Sequence, residues 1–137
     1  MGENDFKVKI RKATLGDAAK IHALIREATN RGKILKRSLK EIKSSIHHFW
    51  VLEIEKRLVA CCALEIYNKK LAEIRSLTVD SKEEKKGLAT LLIEQCLKES
   101  KARRVYEVLA ITDRENLFKR QGFSEQLHGQ KALFLRN

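Results

Sequence analysis

The run Ile74-Arg75-Ser76-Leu77-Thr78-Val79-Asp80 is β-prone and passes into a polar, charged loop that ends at Gly87. Leu88-Ala89-Thr90-Leu91-Leu92 then opens an amphipathic helix. A strand, a polar loop, a glycine and a helix in this order leave backbone N–H groups at a helix start without acceptors. Such a start is a ready site for an anion such as a diphosphate. A competing reading takes Ser81-x-x-Glu84 as a capping box and runs the helix from Lys82 straight through Gly87. That helix would carry an interior glycine, a cost of about 1 kcal/mol. It would also crowd Lys82, Lys85 and Lys86 into the first turn, where the helix dipole disfavours cations. The sequence favours the loop.

The rest of the chain supplies the frame. Phe6 to Arg11 alternates apolar and basic residues, the period of a half-buried strand. Thr14 and Asp17 cap a helix whose apolar face is Ala18, Ile21, Leu24, Ile25 and Ala28, and Asn30-Arg31-Gly32 ends it. Ser38-Leu39-Lys40-Glu41 is a capping box that starts a short helix with Leu39, Ile42 and Ile46 inward. Strands are expected over Phe49–Ile54, Leu58–Tyr67 and Leu71–Val79, with turns at Glu55–Arg57 and Asn68–Lys70. The strongest helix is expected from Gly87 to Ser100, with Leu88, Leu91, Leu92, Cys96 and Glu99 in its stripe. A buried strand, Val105–Ile111, follows and should lie parallel to the Leu71–Val79 strand across a βαβ crossover. Arg114–Gln121 forms a short helix ended by Gly122. Phe123–Leu127 and Lys131–Leu135 form a closing hairpin around His128-Gly129-Gln130. The fold class is α+β: a mixed, mostly antiparallel sheet with helices on both faces.

The 137 residues suit a single domain, 1–137, and 43% apolar residues suffice for a core. No apolar run approaches the ~20 residues of a membrane span. Met1–Phe6 lacks a secretory pattern, and Phe6 stands where a myristoylation signal wants Ser or Thr. The cytoplasm is therefore the expected compartment. Cys61, Cys62 and Cys96 sit in apolar runs and read as buried thiols. His22, His47, His48 and His128 have no metal-ligand spacing, so no metal is expected. Phe49 and Trp50 read as core. The net charge of +11 attracts polyanions, but the basic residues are spread over the whole length. A basic nucleic-acid module would want aromatics interleaved with them, and aromatics are only 6%, mostly in apolar strands.

Glu84-Lys85-Lys86-Gly87-Leu88-Ala89 resembles the acetyl-CoA loop of the GNAT N-acetyltransferase superfamily, [Gln/Arg]-x-x-Gly-x-[Gly/Ala]. Gly87 and Ala89 match; Glu84 departs. Phe118-x-x-x-Gly122-Phe123 is similar to the family's Tyr-x-x-x-Gly-Phe. Leu35-Lys36-Arg37-Ser38-Leu39, Cys61-Cys62-Ala63-Leu64 and Ala72–Val79 resemble, more narrowly, the acetyltransferase domain of N-acetylglutamate synthases and their short stand-alone relatives. The resemblance implies the GNAT fold and an acetyl-CoA-dependent N-acetyltransferase. Its favoured acceptor is the α-amine of L-glutamate, the first step of arginine biosynthesis. Another small amine or a protein N-terminus is the alternative within the fold, and a CoA-binding domain without catalysis is a further one. Domains of this kind often dimerise through sheet edges, which makes a homodimer the candidate assembly.

The resemblance also implies roles. Amides near Leu77 and Val79 polarise the thioester carbonyl, and the strand edge through Thr78 pairs with the pantetheine arm. The loop residues Glu84, Lys85, Lys86, Gly87, Leu88, Ala89 and Thr90 hold the diphosphate. Glu73 is the general base, because an ammonium is not nucleophilic until it loses a proton; Glu65 is the fallback. Phe118 stands where many relatives carry a tyrosine that protonates the leaving thiolate. It cannot donate, so water, Ser76 or another hydroxyl must, or the thiolate leaves unassisted. Arg37 and Arg75 are the candidate clamps for the substrate carboxylates, with Lys131 a weaker third.

Overall fold

A computed structural model describes residues 7–32 and 36–137. Phe6, expected at the start of the first strand, lies outside the described residues, as do the rest of the Met1–Phe6 segment and Leu35 of the arginine-bearing motif. Alternation sets the first strand, β1 (Val8–Lys12). Thr14 and Asp17 form the expected capping box over a single 3-10 turn, which leads into α1 (Ala18–Asn30). Ser38 accepts from the Glu41 N–H, and Glu41 accepts from the Ser38 N–H. This reciprocal pair starts α2 (Leu39–Ser44). A 3-10 turn over Ile46–His48 follows.

β2 (Phe49–Ile54), β3 (Arg57–Ile66) and β4 (Leu71–Val79) form the meander. Glu55 and Lys56 both take positive φ, the conformation a two-residue hairpin needs. After the loop come α3 (Leu88–Ala102), β5 (Glu107–Ala110) and α4 (Glu115–Lys119). The sheet runs β1-β2-β3-β4-β5. Its first four strands are antiparallel, and β5 is parallel to β4. This is a five-stranded open sheet, mixed and mostly antiparallel as expected.

The pleat divides the core. Leu52, Cys62, Leu64, Ala72 and Ile74 pack against Leu88, Leu92, Ile93 and Cys96 of α3 and Phe118 of α4. Phe49, Val51, Cys61 and Ala63 pack on the other face against Ile21 and Ile25 of α1 and Ile42 of α2. The three thiols are free and buried, and burial pushes Cys61 up to about 12. Trp50 is half-buried, its indole N–H donating to Glu99 at 2.7 Å. No helix among the described residues is long and apolar enough to cross a membrane.

Three expectations need correction. Leu91 is turned outward on α3, while Ala89 and Ile93 take the inward face; the buried stripe is tilted toward the sheet. β5 is shorter than Val105–Ile111 and half-buried rather than buried, because among the described residues only one of its edges has a neighbour. The closing hairpin does not form. A lone bridge, Leu127 to Gln130, marks its turn, and residues 131–137 carry no regular structure. Leu133-Phe134-Leu135 do not alternate with polar residues, so a two-stranded hairpin would leave one apolar side uncovered. Such a ribbon is marginal without a sheet beside it.

Candidate active site

The loop after β4 is not a continuation of α3. The Asp80 side chain accepts from the Lys82 N–H and closes a 3-10 turn over Ser81–Glu83. Glu84 is extended, Lys85 has φ +68°, and Gly87 has φ +80° as the residue preceding α3. Left-handed backbone is the reason for glycine here. The first helical bond runs from the Leu91 N–H to the Gly87 carbonyl. From Lys85 to Thr90, no backbone N–H has an acceptor among the described residues. The uninterrupted helix from Lys82 is excluded.

Glu83, which sequence reasoning passed over, pins this loop. It is 8% exposed and accepts from Lys86 Nζ at 2.7 Å and Arg57 Nη2 at 3.2 Å. The Lys86 hydrogen bond, then Arg57, holds its carboxyl below the usual range. Lys86 is thus charge-matched from within the protein. Glu84 points to Arg31 Nη1, 3.6 Å away. A cleft of about 430 Å³ lies against the helix start, lined by Val79, Gly87 to Thr90 and, from the α4 side, Arg114, Leu117 and Arg120. The two arginines were not anticipated; only the three-dimensional fold brings α4 opposite Gly87. Phe118 is buried behind the cleft, edge-on to Phe123 at 5.2 Å, and supports its neighbour Leu117 from the core.

β4 opens beside this cleft. It pairs with β5 only from Leu71 to Ile74, so its edge from Arg75 onward has no neighbouring strand among the described residues. On the β3 side, Cys61 faces Thr78 and Ala63 faces Arg75, so Ser76 and Leu77 together oppose Cys62. This bulge puts Ser76 at φ +58°. Its carbonyl accepts from Thr78 Oγ1 at 3.1 Å and Cys61 Sγ at 3.6 Å, which holds the irregular backbone in place.

The bulge sits among charged groups on the α1/α2 face. Arg37 is 7% exposed; its Nη1 donates to Ser76 Oγ at 3.0 Å, and its Nη2 lies 3.8 Å from Glu65 Oε1. Arg37 Nε is buried and has no protein acceptor among the described residues. Arg75 Nη1 donates to the same Glu65 oxygen at 2.6 Å. Burial works against the Arg75 charge, but Glu65 outweighs it and the guanidinium is held more tightly protonated than usual. Glu73 lies directly across from Glu65 on the adjoining strand and accepts from the Tyr67 hydroxyl at 2.6 Å. Burial and then this carboxylate push Tyr67 up to about 12. Arg37, Arg75, Glu65, Glu73 and Ser76 therefore converge. Lys131 does not join them: it is exposed on the terminal segment, with no hydrogen bond or ion pair to the group among the described residues. Those residues also hold no cluster of His, Cys, Asp and Glu suited to a metal ion.

Comparison with known proteins gives this geometry a family. The sequence matches the acetyltransferase (GNAT) family over residues 19–126. It is 36% identical over 116 residues to an uncharacterized N-acetyltransferase of Chlorobaculum tepidum, covering 85% of this chain and 75% of that protein. It is 28% identical to an amino-acid acetyltransferase of Mycobacterium tuberculosis, covering 88% and 71%. Among solved structures, N-acetylglutamate synthase from Neisseria gonorrhoeae, complexed with coenzyme A and N-acetyl-glutamate, superposes with a TM-score of 0.76 at 26% identity, over 85% of this chain and 28% of that one. A Mycobacterium tuberculosis protein in complex with CoA and NLQ gives a TM-score of 0.82 at 23% identity, over 91% and 76%, a likeness of fold. A strand that parts from its neighbour beside a glycine-led helix start, within a sequence that matches over most of its length, leads to one conclusion: the chain belongs to the GNAT family of N-acetyltransferases.

Proposed function

We propose that the protein transfers the acetyl group of acetyl-CoA to the α-amine of L-glutamate, the reaction that opens arginine biosynthesis. The observation that carries the acceptor is the convergence of Arg37 and Arg75 on one carboxylate oxygen, Glu65 Oε1, beside the Ser76 bulge. Guanidinium groups that meet on a carboxylate offer the planar, paired donors a dicarboxylate substrate needs. A polyamine would want an acidic pocket in that place. The amino-acid acetyltransferase and N-acetylglutamate synthase relatives support the same choice.

The donor side fits a CoA diphosphate on three counts. The N–H groups from Gly87 to Thr90 lack acceptors among the described residues, Arg114 and Arg120 face them, and the helix dipole adds positive potential at the same point. The unpaired edge of β4 from Arg75 to Val79 suits an extended pantetheine arm, and the amides near Leu77 and Val79 suit the thioester oxygen.

Glu73 is the better base of the two carboxylates. Its hydrogen-bond partner is the neutral phenol of Tyr67, whereas Glu65 would have to give up two guanidinium contacts to take a proton. Glu73, directly or through water, takes a proton from the acceptor ammonium. The neutral amine attacks the acetyl carbonyl, the carbon–sulfur bond breaks, and the nitrogen releases its second proton as the amide forms, which balances the proton that sulfur takes up. The Ser76 hydroxyl accepts from Arg37, so its own hydrogen is available to the departing sulfur.

CoA release in a steady-state assay tests the reading. Glutamate is expected to saturate, with glutamine and putrescine at least about tenfold poorer in kcat/KM. Release with putrescine or a peptide N-terminus, and none with glutamate, overturns the acceptor. No thermal shift with acetyl-CoA overturns the donor.

A further inference from the structure

The two walls of the cleft beside the start of α3 carry their charge differently. On the loop wall, Lys86 pairs with Glu83 at 2.7 Å and Glu84 with Arg31 at 3.6 Å. Lys85 alone of the loop cations lining the cleft stands there without a carboxylate partner among the described residues, next to the open amides. On the opposite wall, Arg114 and Arg120 also pair with no carboxylate among the described residues. Two acids of their own segment, Glu115 and Glu125, are both taken by Lys119, at 2.6 and 3.4 Å. Arg114 and Arg120 stand just before and just after α4, and Leu117 lies midway between them. Residues three apart on a helix are neighbours on its surface. The two guanidiniums therefore flank one apolar side chain, and all three residues line the cleft.

A diphosphate linked at both ends is answered by the open N–H groups, the positive end of α3 and Lys85 beside them. That leaves two arginines on the other wall without an anion. We propose that Arg114 and Arg120 hold the 3′-phosphate on the ribose of coenzyme A. They thereby restrict the donor to free CoA thioesters, against dephospho-CoA and against acyl groups carried on protein-bound phosphopantetheine. This assignment rests on the donor half of the proposed function and is independent of the acceptor.

The chemistry of the ligand matches the two walls. A phosphate monoester carries about −1.5 to −2 charges at pH 7 and three strong acceptor oxygens. Guanidinium groups meet such an anion with parallel N–H donors. In CoA a single ribose separates the diphosphate from the 3′-phosphate, so adjoining parts of one ligand address both sides of a cleft of about 430 Å³. Leu117, between the arginines, offers the sugar an apolar contact. Phosphopantetheine on a carrier protein has one phosphodiester and no ribose. Seated on the amides, it leaves both arginines empty, and dephospho-CoA does the same.

Calorimetry with CoA and with dephospho-CoA, in 0.15 M salt and with no acceptor present, tests this on the unmodified protein. CoA is expected to bind about tenfold tighter or more, the scale of a hydrogen bond to a charged group. Arg114→Met/Arg120→Met should weaken CoA by about the same factor and leave dephospho-CoA within about twofold, so that the preference disappears. Gly87→Val should weaken both ligands alike. Equal affinity for the two ligands in the unmodified protein overturns the proposal and leaves the donor reading standing. A double variant that loses both ligands in step also overturns it, because the arginines would then serve the diphosphate or the fold. Binding of neither ligand to the unmodified protein overturns the donor reading and this proposal together.

Discussion

The proposed cofactor side and the proposed acceptor side of this molecule are built from different materials. Around Gly87 the groups on offer are backbone N–H donors, aimed by a glycine with φ +80° and by Glu83 gripping Lys86 and Arg57. Around Ser76 they are side chains, Arg37, Arg75, Glu65 and Glu73, each aimed by another side chain. A site made of backbone tolerates side-chain drift, because any residue that keeps the φ and ψ keeps the donors. A site made of guanidiniums and carboxylates does not. The departures of Glu84 and Phe118 from the family pattern both fall on the tolerant side. On the proposed function, acceptor choice resides on the other.

The largest effect is expected from Glu73→Gln. Removing a general base lowers kcat by about 10²–10⁴-fold, while acetyl-CoA affinity stays within about twofold. Tyr67, pushed to about 12 chiefly by burial, stays protonated through the neutral range and adds no limb to the pH–rate profile there. A kcat that survives in Glu73→Gln would move the base to Glu65 or to water. Arg75→Met comes next. It removes a charged hydrogen bond and leaves Glu65 short of a partner, so kcat/KM for glutamate should fall by about 10²-fold. Calorimetry with CoA should again register little. If CoA binding fell in step, the two sides would share their charges and the contrast drawn above would fail.

Gly87→Val strikes the other side. A Cβ at Gly87 meets nothing within 4 Å, so the penalty is backbone strain alone. Forcing a β-branched residue into left-handed backbone costs on the order of 1–3 kcal/mol, and relaxation of the loop would turn the donors away. CoA affinity should weaken about tenfold, with the glutamate KM measured at saturating acetyl-CoA unchanged.

This division also marks what was legible in the sequence. Alternation and capping residues write themselves locally. Hence β2 and β4 have the expected bounds, the boxes at Thr14 and Ser38 form, and the helix after Gly87 begins where a glycine must precede it. The Ser76 bulge has no such signature. Serine does not announce positive φ; Arg37, distant in sequence, Cys61 on the facing strand and Thr78 two residues on hold it. Glu83 looked like one loop acid among several until Arg57, at the start of the neighbouring strand β3, reached it. Arg114 and Arg120 gained meaning only when α4 folded back over the helix start. The hairpin expected at the C-terminus failed for the opposite reason. Its residues have strand propensity, and propensity does not supply a neighbouring edge.

The smallest effect should come from Glu84→Gln, which places a family-typical residue at the departing position. If the side chain at 84 touched the diphosphate, replacing a carboxylate with an amide would tighten CoA by about tenfold or more, since a like charge beside a phosphate is strongly unfavourable. Glu84 is 42% exposed and its partner is Arg31, 3.6 Å away, an ion pair of the open surface. Such pairs contribute about 0–1 kcal/mol and weaken with salt. CoA affinity should therefore change by less than about twofold in 0.15 M salt, and stability by less than about 1 kcal/mol. A tenfold gain would mean that the side chain, and not the backbone alone, decides how this loop treats the cofactor.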